Sequence, residues 1–175
     1  IREYFKDEFK GIPILYSIEE EPLGTGGGIK KSLELCTDEN VLILNGDTFF
    51  DADLSQLAAV HSQKKSDLTM VLRKVENAGR YGNVEFSPEG QLSGFKEKND
   101  SGEAGYINGG IYLINKNIFK TRSFPEKFSF EKDFLEKYYS TINMYVCVSD
   151  AYFIDIGIPT DYEKAKQEFK TDIVR

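Results

Sequence analysis

Residues 41–48 read Val41-Leu42-Ile43-Leu44-Asn45-Gly46-Asp47-Thr48. Four apolar side chains in succession, with no alternation, predict a strand buried on both faces of a largely parallel sheet. Asn45-Gly46 ends the run in a turn and leaves Asp47 at the strand's carboxyl end. Ligands of open α/β sheets bind at that end. A carboxylate there suits Mg²⁺, a hard cation that takes oxygen ligands and phosphates.

Downstream, Asp53-Leu54-Ser55-Gln56 resembles a capping box and predicts a helix over Leu54–Gln63. Leu68–Leu72 reads as the next strand. Upstream, Ile12–Ser17 reads as a strand, Glu21-Pro22-Leu23-Gly24-Thr25-Gly26-Gly27-Gly28 as a glycine-rich turn, and Ile29, Leu33 and Leu35 as apolar positions of a helix. Strands alternating with helices predict an α/β domain with a mostly parallel sheet. The middle departs from that rhythm. Tyr81–Phe86, Leu92–Phe95 and Tyr106–Ile114 are short strands, with a hairpin-like turn at Pro88-Glu89-Gly90-Gln91, and they predict an antiparallel excursion. Ser129 is placed to cap a helix over Phe130–Tyr139, followed by strands at Met144–Val148 and Tyr152–Ile154. Thr160-Asp161-Tyr162-Glu163 reads as a second capping box opening a helix with Tyr162, Ala165 and Phe169 on one face. Ile1, Tyr4, Phe5 and Phe9 share a helical face, so the chain reads as starting inside a helix, truncated at its N-terminus.

Composition excludes several classes. The 175 residues carry 22 Lys plus Arg against 29 Asp plus Glu, a net charge of −7, which disfavours nucleic-acid and anionic-membrane partners. No apolar run approaches the roughly 20 residues of a membrane span, and Ile1-Arg2-Glu3-Tyr4-Phe5-Lys6 does not read as a signal peptide. Cys36 and Cys147, without CxxC spacing, point to a reducing cytoplasm and no structural zinc. His61, the single histidine, lies among Ser62, Gln63 and Lys64 and reads as a surface residue. Cys147, in Tyr145-Val146-Cys147-Val148, reads as packing rather than as a nucleophile.

The glycine-rich segment fits neither standard phosphate motif. Lys31-Ser32 follows Lys30 where GxxxxGK[ST] needs glycine, and Ile29 stands where GxGxxG needs its last glycine. Four glycines in the five residues 24–28 still favour a ligand-facing loop over a flexible connection. Asp155, in Tyr152-Phe153-Ile154-Asp155-Ile156-Gly157, repeats the setting of Asp47. A lone aspartate there would be read as a turn cap; the pair suggests a shared metal site. In Phe95-Lys96-Glu97-Lys98, Lys98 could neutralise a phosphate and Glu97 accept from sugar hydroxyls, against the plainer reading of a solvated charge cluster. Asn108-Gly109-Gly110 sets a polar side chain and two glycines inside an apolar strand, a mark of close approach. Arg80-Tyr81-Gly82-Asn83 would wall a pocket or form a turn.

Taken in order, Glu21-Pro22-Leu23-Gly24-Thr25-Gly26-Gly27, Asn45-Gly46-Asp47, Phe95-Lys96-Glu97-Lys98, Asn108-Gly109-Gly110-Ile111-Tyr112 and Asp155-Ile156-Gly157-Ile158-Pro159-Thr160-Asp161-Tyr162 resemble the sugar-1-phosphate nucleotidyltransferases. Tyr16-Ser17-Ile18, Phe128-Ser129-Phe130-Glu131 and Tyr152-Phe153-Ile154-Asp155 narrow the resemblance to members that activate a heptose 1-phosphate with guanosine. The resemblance implies a Rossmann-like three-layer α/β/α sandwich with a mostly parallel mixed sheet, spanning residues 1–175 as one domain. It implies that a sugar 1-phosphate oxygen attacks the α-phosphorus of a nucleoside triphosphate, pyrophosphate leaves, and no covalent enzyme intermediate forms. Asp47 and Asp155 would hold Mg²⁺, and Lys98 would meet the sugar phosphate. Leu23, Gly24, Thr25, Gly26 and Gly46 would serve the nucleotide, and Glu97, Asn108, Gly109, Tyr81 and Gly82 the sugar. The family's GGxGTRL triphosphate loop does not occur in the sequence. Its absence keeps a second reading open, a sugar-nucleotide-binding module without catalysis. An incomplete sheet would also leave an edge that favours a homo-oligomer.

Overall fold

The computed structural model describes residues 1–79, 83–96 and 103–172. A single helical turn, α1 (Arg2–Phe5), leads into a small hairpin of β1 (Glu8–Phe9) and β2 (Ile12–Pro13). The helical face expected to reach Phe9 is therefore cut short. Lys6 takes a positive φ of 52° and Gly11 one of 81°, and these two turns fold the chain back so that Phe9 pairs with Ile12. The expected strand through Ser17 stops at Pro13.

Next come α2 (Gly24–Leu33), β3 (Asn40–Leu44), β4 (Thr48–Phe50) and α3 (Leu54–Gln63). Helix α3 starts where its cap predicts: Asp53 Oδ1 accepts from the Ser55 and Gln56 N–H groups at 2.8 and 3.2 Å. Then follow β5 (Leu68–Val75), β6 (Asn83–Phe86), β7 (Leu92–Lys96), β8 (Gly105–Asn115) and α4 (Ile118–Thr121). The helix expected over Phe130–Tyr139 is wider than an α-helix at first. It is a π-helix over Phe130–Leu135 that passes into α5 (Glu136–Tyr138). Ser129 caps it as expected, its hydroxyl accepting from the Lys132 N–H at 3.2 Å. Strands β9 (Met144–Ser149) and β10 (Phe153–Asp155) and helix α6 (Pro159–Asp172) complete the fold. Helix α6 begins at Pro159, one residue ahead of the Thr160 cap read from the sequence. Proline's fixed φ and missing donor suit the first helical position and override the box.

The main sheet is mixed, in the order β3-β8-β5-β9. Strands β3, β5 and β9 run one way and β8 runs against them. Alternation along β5 sorts two cores. Leu68, Met70 and Leu72 pack with Leu33 of α2 and with Phe130, Phe134 and Leu135 of the π-helix. Val71 points to the other face and packs with Ile111, Cys147 and Leu57 of α3. Helices thus cover both faces, giving the expected three layers. Strand β3 departs from the expectation that it is buried on both faces. Among the described residues it pairs with β8 alone, and Leu42 and Leu44 are 40% and 57% exposed.

His61 is not a surface residue. It lies one helical turn beyond Leu57, so it shares α3's inward face and is only 4% exposed. Its Nδ1 lies 2.9 Å from Thr69 Oγ1 and its Nε2 3.3 Å from Asn40 Oδ1, partners that suit a neutral ring. Burial pushes its pKa below the ordinary value, and Asp67 opposes the shift. The unfolded chain therefore takes up the proton more readily than the folded one, and stability falls as pH drops through about 6.5. The expected result is a steeper loss of melting temperature between pH 7 and pH 5 in the wild type than in His61→Gln. Parallel melting curves against pH would refute it.

Candidate active site

Two backbone devices build the site. The first is the short ladder of β4 with β10. It sets Asp155 opposite Thr48, and the Ile156 N–H extends it by donating to the Asp47 carbonyl at 2.9 Å. Asp47 and Asp155, 108 positions apart in the chain, thereby come to neighbouring rungs. The second device is a bulge in β8. Met70 faces Tyr112 and Leu72 faces Asn108, so Gly109, Gly110 and Ile111 oppose Val71 alone. Gly110 takes a φ of +73°, and its carbonyl accepts from the Asn45 N–H at 2.8 Å. Gly109 admits the Phe50 ring so closely that a Cβ there would sit 2.5 Å from it and 2.9 Å from the Val71 carbonyl oxygen. A side chain at Gly109 would push β4, and Asp47 with it, away from β8.

Between these devices lies a cleft of about 320 Å³, lined in part by Asn45, Asp47, Thr48, Asn108, Glu131 and Asp155. The Asn108 amide is braced at both ends. Its Nδ2 donates to the Tyr112 hydroxyl, and its Oδ1 accepts from the Gly110 N–H at 3.1 Å. Burial, reinforced by the Glu131 charge, pushes the Tyr112 phenol above its ordinary range, so it stays neutral and its oxygen remains a fixed acceptor. Asp155 Oδ1 accepts from the Gly157 N–H at 2.8 Å. The donor set of Asp47, Asp155 and Thr48 is all oxygen, which matches Mg²⁺. That ion commonly takes one or two carboxylates and fills its shell with water and phosphate. Among the described residues no group of three or more His, Cys, Asp and Glu forms a richer metal cage.

The glycine-rich segment behaves differently from a loop. Its glycines enter α2 at once, and the close approach they allow is to the chain itself. The Gly26 and Gly27 N–H groups both donate to the Phe128 carbonyl, at 3.0 and 3.3 Å, and the Phe128 N–H returns a bond to the Leu23 carbonyl at 3.0 Å. A Cβ on Gly26 would lie 2.2 Å from the Phe128 ring. The Thr25 hydroxyl donates to Glu131 Oε2 at 2.8 Å and accepts from the Phe130 N–H at 2.8 Å. Leu23 lines a second cavity of about 400 Å³ with Glu20, Glu21, Pro22, Lys31 and Glu126.

Of the residues read from the sequence, Asp47, Asp155 and Asn108 meet in one cleft, with Gly46 in the turn beside Asp47. Gly109 lies beneath it as packing. Leu23, Gly24, Thr25 and Gly26 stand at the start of α2, joined to the cleft wall through the bond from Thr25 to Glu131. Tyr81, Gly82, Glu97 and Lys98 lie outside the described residues. Sequence reasoning missed Glu131 and Lys132, which line the cleft from the first turn of the π-helix. The available signal was Ser129: a capping residue at a strand-end cleft presents the charged pair that follows it.

The profile of the family described as nucleotidyl transferase matches residues 1–172. The chain belongs to the nucleotidyl transferase family. It is 51% identical over 170 residues to the D-glycero-alpha-D-manno-heptose 1-phosphate guanylyltransferase of Aneurinibacillus thermoaerophilus, covering 97% of this chain and 73% of that one. It is 48% identical over 162 residues to the protein of the same name from Campylobacter jejuni, covering 93% and 70%. Among solved structures it resembles HddC from Yersinia pseudotuberculosis in complex with GMP-PN. There the TM-score is 0.80 at 36% identity, over 95% of this chain and 72% of that one. The mixed sheet described above is thus the fold of this family. Among the described residues, no helix is long and apolar enough to cross a membrane.

Proposed function

We propose that this nucleotidyltransferase transfers GMP from GTP to a D-glycero-D-manno-heptose 1-phosphate, releasing pyrophosphate and yielding a nucleotide-activated sugar for surface polysaccharide. The observation that carries the reading is that Asp47 and Asp155, brought close by the β4–β10 ladder, line one polar cleft. The choice of guanosine and heptose is supported by the 51% and 48% identity to relatives of that name.

In this reading Asp47 and Asp155 hold Mg²⁺, which when bound draws charge from the phosphates. The sugar 1-phosphate oxygen forms a bond to the α-phosphorus of the nucleotide as the bond to pyrophosphate breaks, and the electron pair leaves with pyrophosphate. No side chain need act as a nucleophile. The protein's task is positioning and charge compensation. The braced Asn108 amide orients a sugar hydroxyl, and Lys132 faces the negative charge of the phosphate, with Lys98 assigned the same task by sequence. Leu23 and Gly24, with Gly46, border the nucleotide. Thr25 and Gly26 serve it indirectly, since the Thr25 hydroxyl and the Gly26 N–H are engaged by the 128–131 segment. The unpaired Cys36 and Cys147 fit a cytoplasmic setting.

Pyrophosphate release, measured with GTP, ATP, UTP, CTP and dTTP against heptose, mannose and glucose 1-phosphates, tests the assignment. The highest kcat/KM is expected for GTP with the heptose 1-phosphate. Preference for another base or sugar would replace that part of the reading. Binding of GDP-heptose without turnover of any pair would favour a sensing module.

A further inference from the structure

We propose that Glu131 selects the sugar by accepting a hydrogen bond from one of its hydroxyls, and that Thr25 is the residue that positions Glu131. The inference rests on the cleft being the sugar 1-phosphate site.

Glu131 is half-buried in the cleft wall, on the same cavity as Asn108, Asp47 and Asp155. Its Oε2 takes two hydroxyl donors, Thr25 at 2.8 Å and Ser129 at 3.1 Å. The Thr25 hydroxyl has little rotational freedom. The Phe130 N–H donates to its oxygen at 2.8 Å, so its own proton is directed at Glu131. The Ser129 oxygen likewise accepts from the Lys132 N–H. Backbone bonds stiffen the frame, because the Gly26 and Gly27 N–H groups grip the Phe128 carbonyl and the Phe128 N–H grips the Leu23 carbonyl. One carboxylate oxygen is thus fixed by protein, and its fellow oxygen Oε1 is held in a defined place on the cleft wall. An ionised carboxylate only accepts, so what it takes from a ligand must be a donor. It repels a phosphate and fits a hydroxyl. A site built to bond a hydroxyl rejects the analogue lacking it, because the fixed acceptor is then left without a partner.

The test compares wild type, Glu131→Ala, Thr25→Val and Thr25→Ser with heptose 1-phosphate and its monodeoxy analogues, with melting temperatures recorded in parallel. Wild type is expected to lose roughly 100-fold in kcat/KM on one analogue. Glu131→Ala is expected to show that loss already with the parent sugar and no further loss with that analogue. Thr25→Val should raise KM for the sugar 1-phosphate about tenfold, well beyond any rise in KM for GTP, and Thr25→Ser should restore it. Unchanged kcat/KM for the parent sugar in Glu131→Ala, or undiminished discrimination among the deoxy sugars in that variant, would overturn the inference and leave the enzyme reading standing. Absence of transfer by wild type with every sugar 1-phosphate would overturn both. A Thr25→Val that melts early is judged by Thr25→Ser and Glu131→Ala.

Discussion

Asp47→Ala is expected to lower kcat for nucleotidyl transfer about 10³-fold and to leave the melting temperature almost unchanged. The contrast follows from what Asp47 touches. Its carbonyl carries the ladder bond from Ile156, and that bond survives any side-chain change. Its carboxylate is exposed and, among the described residues, has one long hydrogen bond, 3.5 Å from the Thr48 hydroxyl. Little of the fold leans on it, while the proposed Mg²⁺ site loses half of its protein charge. Asp155→Asn separates charge from shape, because the amide oxygen can still accept from the Gly157 N–H. It should lose activity on the same scale. The two aspartates act as a unit, so the double variant should be scarcely worse than either single one. Steady-state pyrophosphate release at saturating Mg²⁺, with a thermal melt alongside, checks all three. Full activity in Asp47→Ala would remove the pair from the mechanism.

Phe134→Ala is expected to have the largest effect on stability, about 3–5 kcal/mol. Phe134 is fully buried, at 0% exposure, and its ring lies 5.0 Å from Phe130, 5.4 Å from Phe119, 5.7 Å from Phe124 and 6.1 Å from Tyr138. Cutting it to a methyl leaves a void among rings anchored in α4, the 124–128 segment, the π-helix and α5, which cannot close it together. For a domain of this size the melting temperature should fall roughly 6–20 °C. Calorimetry measures this directly, and a fall of under 2 °C would mean that the aromatic cluster repacks freely. Activity should fall too, since Phe130, whose N–H holds the Thr25 hydroxyl, stacks on the lost ring.

Local rules made much of this legible. Asp53 named the first turn of α3 because a cap acts within three residues. The two strand-end aspartates were legible because an apolar run, a turn and a carboxylate sit side by side in the sequence. What stayed hidden depends on distance. Glycine permits close approach but does not say to what, so Gly26 and Gly27 read as facing a ligand when they face Phe128. The Ser129 cap hinted at Glu131, but its partner Thr25 lies 106 positions away, and no local rule joins the two. His61 was misread from its polar neighbours, although its spacing from Leu57 placed it on the buried face. The Thr160 box lost to Pro159, a competition between two local signals that sequence alone left undecided. In β3 the continuous apolar run suggested two covered faces, whereas Leu42 and Leu44 remain open in the described structure.

The reversed strand β8 has a consequence for the way the chain acquires its shape during synthesis. Strand β3 pairs from Val41 with Ile114 to Leu44 with Ile111, and β5 draws its other neighbour, β9, from residues 144–149. At ordinary translation speeds, of the order of 5–20 residues per second, β3 leaves the ribosome several seconds before any of β8 exists. Throughout that interval Val41–Leu44 lacks the pairing with β8 that it has in the described structure. Helix α3 touches β3 through His61 and Asn40, but it packs on β5, β8 and β9, of which none has been made when α3 is complete. The β3–β8 pairing therefore forms late in synthesis, and it can be complete only once residue 115 has emerged.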